Sequence, residues 1–288
     1  MMATSRKQLL VGGLAVLAFA LLYRHVFIKL VHDWWNDDNY SHGFLIIPIA
    51  AYLIWERRRS LAVTTMRPSV TGVVVVVGSL LVLLAGIFGA ELFLTRISIV
   101  GTLVGSVLFL FGWAWLRLLA FPLAFLLLMI PLPAIIFNQI AFPLQLVASQ
   151  AGEFTLRSFE IPVLREGNVL ILANTTLEVA EACSGIRSLV SLLTLGIMVG
   201  YFSDRRIGVR FLIALSTIPV AIVANAARVA GTGIAASRFG AAAAEGFFHE
   251  FSGWVVFLVA FLLMMMLQRL IARLLPPGRP SEESAAAA

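Results

Sequence analysis

Runs of about twenty apolar residues recur along this chain and restrict its fold more than any other feature. A bilayer's hydrocarbon core is about 30 Å thick, and a helix rising 1.5 Å per residue crosses it in about twenty residues. No water reaches the backbone there, so only helices and closed barrels can span. Runs of that length, or close to it, fall at 9–28, 43–56, 70–90, 97–115, 117–133, 184–202, 211–229 and 253–272. The expected fold is an all-α polytopic membrane protein with about eight transmembrane helices. The second run is short and has polar flanks. Pro48, Pro122 and Pro219 fall inside spans, where neighbouring groups can satisfy the freed carbonyls. The first run follows Arg6-Lys7 but has no small-residue cleavage site before Arg24, so it reads as a retained helix rather than a signal peptide.

Composition supports the same class. The chain is 60% hydrophobic and 12% charged, against about 45–50% and 25% for a soluble domain. Its net charge of +6 would suit nucleic acid, but the basic residues adjoin apolar runs. The expected surroundings are membrane lipids, with no nucleic-acid partner. Clusters such as Arg57-Arg58-Arg59 and Arg205-Arg206 place those ends in the cytoplasm by the positive-inside rule. Both termini then fall inside, with Asp33, Asp37, Asp38 and Glu91 outside. These aspartates read as solvated surface, and Trp34, Trp35, Trp254 and Tyr201 as interfacial belt residues. The single cysteine excludes an internal disulfide and a multi-cysteine metal site, and the four histidines lack ligand spacing. No metal and no cofactor are expected.

Residues 1–275 read as one integral membrane domain and 276–288 as a disordered cytoplasmic tail rich in Pro, Ser, Glu and Ala. The segment 134–182 reads as an extracytoplasmic or interfacial insertion. Its first part is apolar with interspersed amides and suits the interface or a dip into the bilayer. The second part has short β-rich runs at 161–164, 169–172 and 177–179, with turn signals at Gly167-Asn168 and Asn174-Thr175. A small β-hairpin cap is expected there.

The polar stretch Glu178-Val179-Ala180-Glu181-Ala182-Cys183-Ser184-Gly185-Ile186-Arg187 leads directly into the sixth run and holds the only thiol. Span seven ends at Asn225-Ala226-Ala227-Arg228, and span eight begins just after His249-Glu250. The topology therefore brings Cys183, Arg228 and His249 from three helix ends to one side of the membrane. Tyr40-Ser41-His42-Gly43 falls on that side too. A thiol at a helix N-terminus is favoured as thiolate, and the same free amides can hold an oxyanion. Arg187 stands one turn along. An arginine at the edge of lipid needs a partner or a task, and histidine carries a proton near neutral pH. Taken singly, each has a plainer reading: a packing cysteine, a snorkelling arginine, an interfacial histidine. Their convergence argues for thiol attack on a carbonyl, with a cation for the developing charge and a proton donor for the leaving amine.

These residues also resemble a known family. Glu181-Ala182-Cys183-Ser184-Gly185-Ile186-Arg187-Ser188 is similar to the cysteine motif of the exosortase/archaeosortase family, and Asn225-Ala226-Ala227-Arg228 to its arginine motif. His249 stands where that family has its histidine, and Tyr40-Ser41-His42-Gly43-Phe44 resembles a signature of bacterial exosortases. The resemblance, over roughly residues 30–270, implies an inner-membrane cysteine transpeptidase with its active site facing the periplasm. Its substrates would be exported proteins with a C-terminal sorting signal (PEP-CTERM-like): a motif such as Pro-Glu-Pro, a transmembrane helix and a basic cluster. It implies an acyl-thioester on Cys183, Arg228 as proton donor or charge stabiliser, and His249 as proton shuttle or transition-state stabiliser. A link to exopolysaccharide production follows from the same resemblance. Glu181, Ser184, Gly185, Arg187, Asn225 and His42 are the supporting residues expected around them. The competing reading is a transporter or polysaccharide-assembly protein without covalent chemistry, which would set opposed charges facing each other at mid-membrane depth.

Overall fold

A computed structural model describes residues 6–173, 175–179, 185–240 and 247–275, of which 6–11, 185–186 and 247–252 by backbone alone. The chain divides into two compact units, Met1–Ala134 and Ile135–Ala288.

The first unit holds α1 (Arg6–Leu22), α2 (Arg24–Asn36), α3 (Gly43–Glu56), α4 (Arg58–Val63), α5 (Thr71–Phe88), α6 (Leu92–Phe111) and α7 (Trp113–Phe125). A 3-10 turn, Leu126–Met129, continues α7. Helices α5 and α6 form a close hairpin. Gly72 has no room for a β-carbon against the backbone of Phe109, and Gly105 would meet Val76 at 2.8 Å. Small residues are what let membrane helices approach this closely. Glu91 caps α6, accepting from the amides of Phe93 (3.0 Å) and Leu94 (3.3 Å).

The expected first span, 9–28, is broken at Tyr23, and α1 and α2 meet at 60°. Tyr23 is fully buried, and its hydroxyl lies 3.1 Å from the Ser98 carbonyl and 2.7 Å from Thr102 Oγ1 on α6. Beyond it α2 continues along α6 and the end of α7. Asp33 pairs with Arg96, and the Trp34 indole donates to the Met129 carbonyl at 2.9 Å. Both side chains depart from expectation: Asp33 is bonded to a buried cation rather than solvated, and Trp34 is buried rather than interfacial.

The second unit holds α8 (Ala134–Ser158), a sheet of β1 (Val163–Glu166), β2 (Val169–Leu172) and β3 (Thr176–Glu178), then α9 (Gly185–Ser203), α10 (Ile207–Phe239) and α11 (Phe247–Leu274). The sheet is antiparallel in the order β1-β2-β3, so the expected hairpin gains a third strand. Gly167 takes φ 63° while Asn168 does not, the pattern of a type II′ two-residue turn that matches the strands' twist. The sheet rests on α8 and on the later part of α10: Leu170, Leu172, Leu177 and Val179 share a core with Ala148, Leu156, Val229 and Ala236.

Among the described residues five helices are long and apolar enough to cross a membrane: α5, α6, α8, α10 and Gly253–Leu274 of α11. The bent α1–α2 pair makes a sixth if it counts as one span. Three apolar helices, Gly43–Glu56, Trp113–Met129 and Arg187–Ser203, are shorter. The expected eight therefore resolve into five or six full-length candidates plus these three. A fourteen-residue helix such as α3 rises only about 21 Å, short of a full crossing unless the bilayer thins or the flanks snorkel. Helix α8, expected as an insertion, is itself among the full-length candidates.

Candidate functional site

The site is built from α9, α10 and α11, which are pinned together at one end. In the α9–α10 loop the Arg206 guanidinium clamps Asp204, with Nη2 2.8 Å and Nε 3.1 Å from its carboxylate oxygens. That contact holds the Asp204 carboxyl down at about 2. Arg206 Nη2 also donates to the Leu275 carbonyl at 2.5 Å. Arg210 Nε donates to the Asp204 carbonyl at 2.6 Å, and its guanidinium lies 4.6 Å above the Tyr201 ring. Gln268 Nε2 meets Ser203 Oγ at 3.1 Å.

From that end the helices keep register. Gly200 lies against the Arg210 backbone and Gly196 against Thr217. Leu192 packs with Ala221 and Ala224, and Leu189 meets Asn225 around a void of about 10 Å³, the lower limit for one water molecule. Continued at the same rise for one turn beyond Leu189, α9 starts at Gly185 opposite the α10 turn that holds Arg228. On the other side Ile271 packs with Val209 and Ile213, Ala260 with Ala221 and Ala224, and Gly253 with Arg228. Ser203 lies 18 residues after Gly185 and Gln268 19 after His249, so counting back from their contact at about 1.5 Å per residue gives the two helix starts a similar level.

Arg228 is partly buried. A β-carbon at Gly253 would stand 3.2 Å from its Nη2 and 3.4 Å from its Cζ. The guanidinium therefore lies on α11's backbone where that helix has no side chain. Asn225, three residues before Arg228, is 5% exposed. Its void is closed on the α8 side by Leu144. On the other flank Val229 is buried under the sheet with Val179, the residue after β3. The core beside Arg228 thus includes Val179, the last described residue before the cysteine stretch.

The expectation that Arg228 ends its helix is corrected. Helix α10 runs on to Phe239, because Val229, Gly233 and Ala236 lie under the sheet and α8, with Gly233 against Leu156. Asn225, Arg228 and Thr232 lower the hydropathy without breaking the helix. From Ile207 to Arg228 the axis covers about 32 Å, one bilayer thickness, so Arg228 sits where a span starting at Ile207 leaves the lipid.

Cys183, Glu181 and Ser184 lie outside the described residues. His249 is described by backbone alone, one helical turn before Gly253 in α11. Arg187 is exposed in the first turn of α9. His42 belongs to the first unit, just before α3, where its Nε2 lies 3.2 Å from the Leu128 carbonyl. Burial pushes its pKa down, against the pull of the Leu128 and Asn39 carbonyls.

Two features escaped the sequence reading. Gly253 is one glycine among 22, and only its contact with Arg228 distinguishes it. Arg96 is 3% exposed and paired with Asp33. It stands one residue before the expected span 97–115, where hydropathy alone does not separate a buried cation from a flanking one. That charge pair occupies the second turn of α6, near one end of the helix and away from its middle.

A sequence profile of the transmembrane exosortase family matches residues 34–266. Comparison with curated proteins and with solved structures gave no match.

Proposed function

The chain belongs to the transmembrane exosortase family, and from that premise we propose that it is a multi-pass cysteine transpeptidase of the inner membrane. In this reading it cleaves exported proteins at a C-terminal sorting signal, and its site faces the periplasm while both termini face the cytoplasm. Family membership supports a transpeptidase-type activity on substrates bearing sorting signals in a membrane. The cysteine mechanism, the Pro-Glu-Pro type of signal and the link to exopolysaccharide production are the proposal.

The observation that carries it is the seating of Arg228 on α11 at Gly253, one turn after His249, beside the packing of Leu189 and Leu192 of α9 with Ala221 and Ala224 of α10. Cys183 precedes Gly185 by two residues, a covalent reach of at most about 7 Å. The Cys183 thiolate attacks the scissile carbonyl carbon, forming a C–S bond and a tetrahedral oxyanion. The part of the Arg228 guanidinium is to stabilise that oxyanion. His249 gives a proton to the departing amine as the C–N bond breaks. The acyl-thioester then passes to water or another nucleophile, which displaces the sulfur. A substrate whose own helix lies in the bilayer presents its scissile bond at fixed depth, raising its effective concentration at the thiol.

The test is a periplasmic reporter ending in Pro-Glu-Pro, a transmembrane helix and an arginine cluster, co-expressed with the enzyme. Cys183→Ala abolishes processing while the protein still accumulates in the membrane. Normal processing by a stable Cys183→Ala chain removes the mechanism. The transporter alternative calls for opposed charges at mid-membrane depth, and the buried pair Asp33–Arg96 lies near the end of α6 instead.

A further inference from the structure

The sheet has a free edge that leads to the cysteine stretch. Strand β3 pairs with β2 as Glu178 with Val169, Leu177 with Leu170 and Thr176 with Ile171. Val179 donates to the Asn168 carbonyl at 3.0 Å, and Leu172 donates to the Thr175 carbonyl at 2.8 Å. Antiparallel pairs alternate between bonded and unbonded. Residues 175, 177 and 179 therefore turn their amides and carbonyls to β2, and Thr176 and Glu178 turn theirs to the open side. Among the described residues nothing pairs with that side, and Thr176 and Glu178 are exposed. An unpaired edge is a template for another strand, and proteins usually blunt such edges with charge, proline or a cover. The β1 edge is blunted in this way: Arg165 and Glu166 are charged, and Arg165 is held by Glu153 at 2.7 Å. Strand β3 carries no proline and one charge, Glu178, which no ion pair among the described residues holds down.

The edge is also held in place. Leu177 and Val179 are buried in the core that contains Val229, next to Arg228. From Glu178 the chain reaches Cys183 in five residues.

We propose that β3 is the docking edge for the substrate. The stretch of substrate before the scissile bond pairs in extended form with the outward amides and carbonyls of Thr176 and Glu178. Main-chain bonds of this kind give affinity with little dependence on sequence. They would fix the register in which an extended peptide runs from the sheet toward the thiol. This rests on the transpeptidase reading, and it names the surface that holds the peptide rather than the groups that cut it.

The experiment uses full-length protein and a reporter that the wild-type enzyme cleaves. Cysteine is placed at Thr176 in a Cys183→Ala chain, and single cysteines are scanned along the reporter ahead of its cleaved bond. Disulfide trapping is expected to rise and fall with a period of two residues. Equal trapping at every position, or none, overturns the proposal. Separately, Glu178→Pro removes the outward amide and spares the bonds of Leu177 and Val179 to β2. It is expected to lower kcat/KM about five- to tenfold for the lost bond, with Glu178→Ala losing less. Equal rates for the two variants count against the docking edge. Cleavage of the reporter by Cys183→Ala would instead sink the transpeptidase reading, leaving the two failures distinguishable.

Discussion

Gly253→Leu is the substitution that most directly tests the placing of Arg228. The guanidinium lies on the α11 backbone, with Nη2 3.2 Å and Cζ 3.4 Å from where a β-carbon would be. These distances are a few tenths of an ångström inside comfortable contact, so alanine should nudge the guanidinium. Leucine adds three more carbons and must displace it. A misplacement of about 1 Å at a reacting centre can cost on the order of a hundredfold in rate. The expected order of kcat/KM on the reporter is therefore wild type, then Gly253→Ala lower by about three- to tenfold, then Gly253→Leu lower by about a hundredfold. Stability should move differently. Replacing glycine by alanine within a helix contributes about 1 kcal/mol, so the alanine variant should melt in detergent no lower than wild type while working more slowly. The reasoning fails if Gly253→Leu folds and cleaves the reporter within twofold of wild type, because the guanidinium would then have no required position.

The other expectations concern the site cation, two buried contacts of the first unit, and the clamp between α9 and α10. Arg228→Ala should lower turnover about 10²–10³-fold, the usual loss for one oxyanion donor, and should do more harm than Arg187→Ala; the reverse ranking reassigns the cation. Asp33→Ala leaves Arg96 buried without its carboxylate, which costs about 3–5 kcal/mol, whereas exposed Asp38→Ala should hardly shift the thermal midpoint; equal shifts would mean the pair is not structural. Tyr23→Phe removes a buried hydroxyl bonded to α6 and should cost about 1 kcal/mol, read as a lower melting temperature at unchanged helix content. Asp204 has its pKa lowered from 3.8 to about 2 by Arg206. A depressed folded pKa gives stability that is present above the unfolded pKa and lost as pH falls through the folded one. The advantage of wild type over Asp204→Asn should thus be complete at pH 5, shrink below about pH 4 and vanish only below about pH 2. A constant difference across that range would refute the clamp.

Long apolar runs determined the fold class without help, because a chain that fills lipid must satisfy its backbone within each helix. The candidate site residues could be named from sequence, one cysteine beside carboxylates and an arginine, then Asn225, Arg228 and His249 in order; of the later three the structure describes the side chains of Asn225 and Arg228. The three β-rich runs announced the sheet, since strand period and turn glycines are local signals. Other properties depend on neighbours far away in sequence. Tyr23 interrupts an apolar run because its hydroxyl finds Ser98 and Thr102, and hydropathy registers only its neighbours. Helix α10 passes through Arg228 because Leu156, Leu177 and Val179 cover its later turns, while the sequence shows only a dip in hydropathy. Arg96 became a buried ion pair, and Gly253 a seat for a guanidinium, through contacts with α2 and α10. Sequence records which groups a segment carries, and packing decides which of them lose water. That loss of water is what turns a side chain from surface into a structural or chemical part.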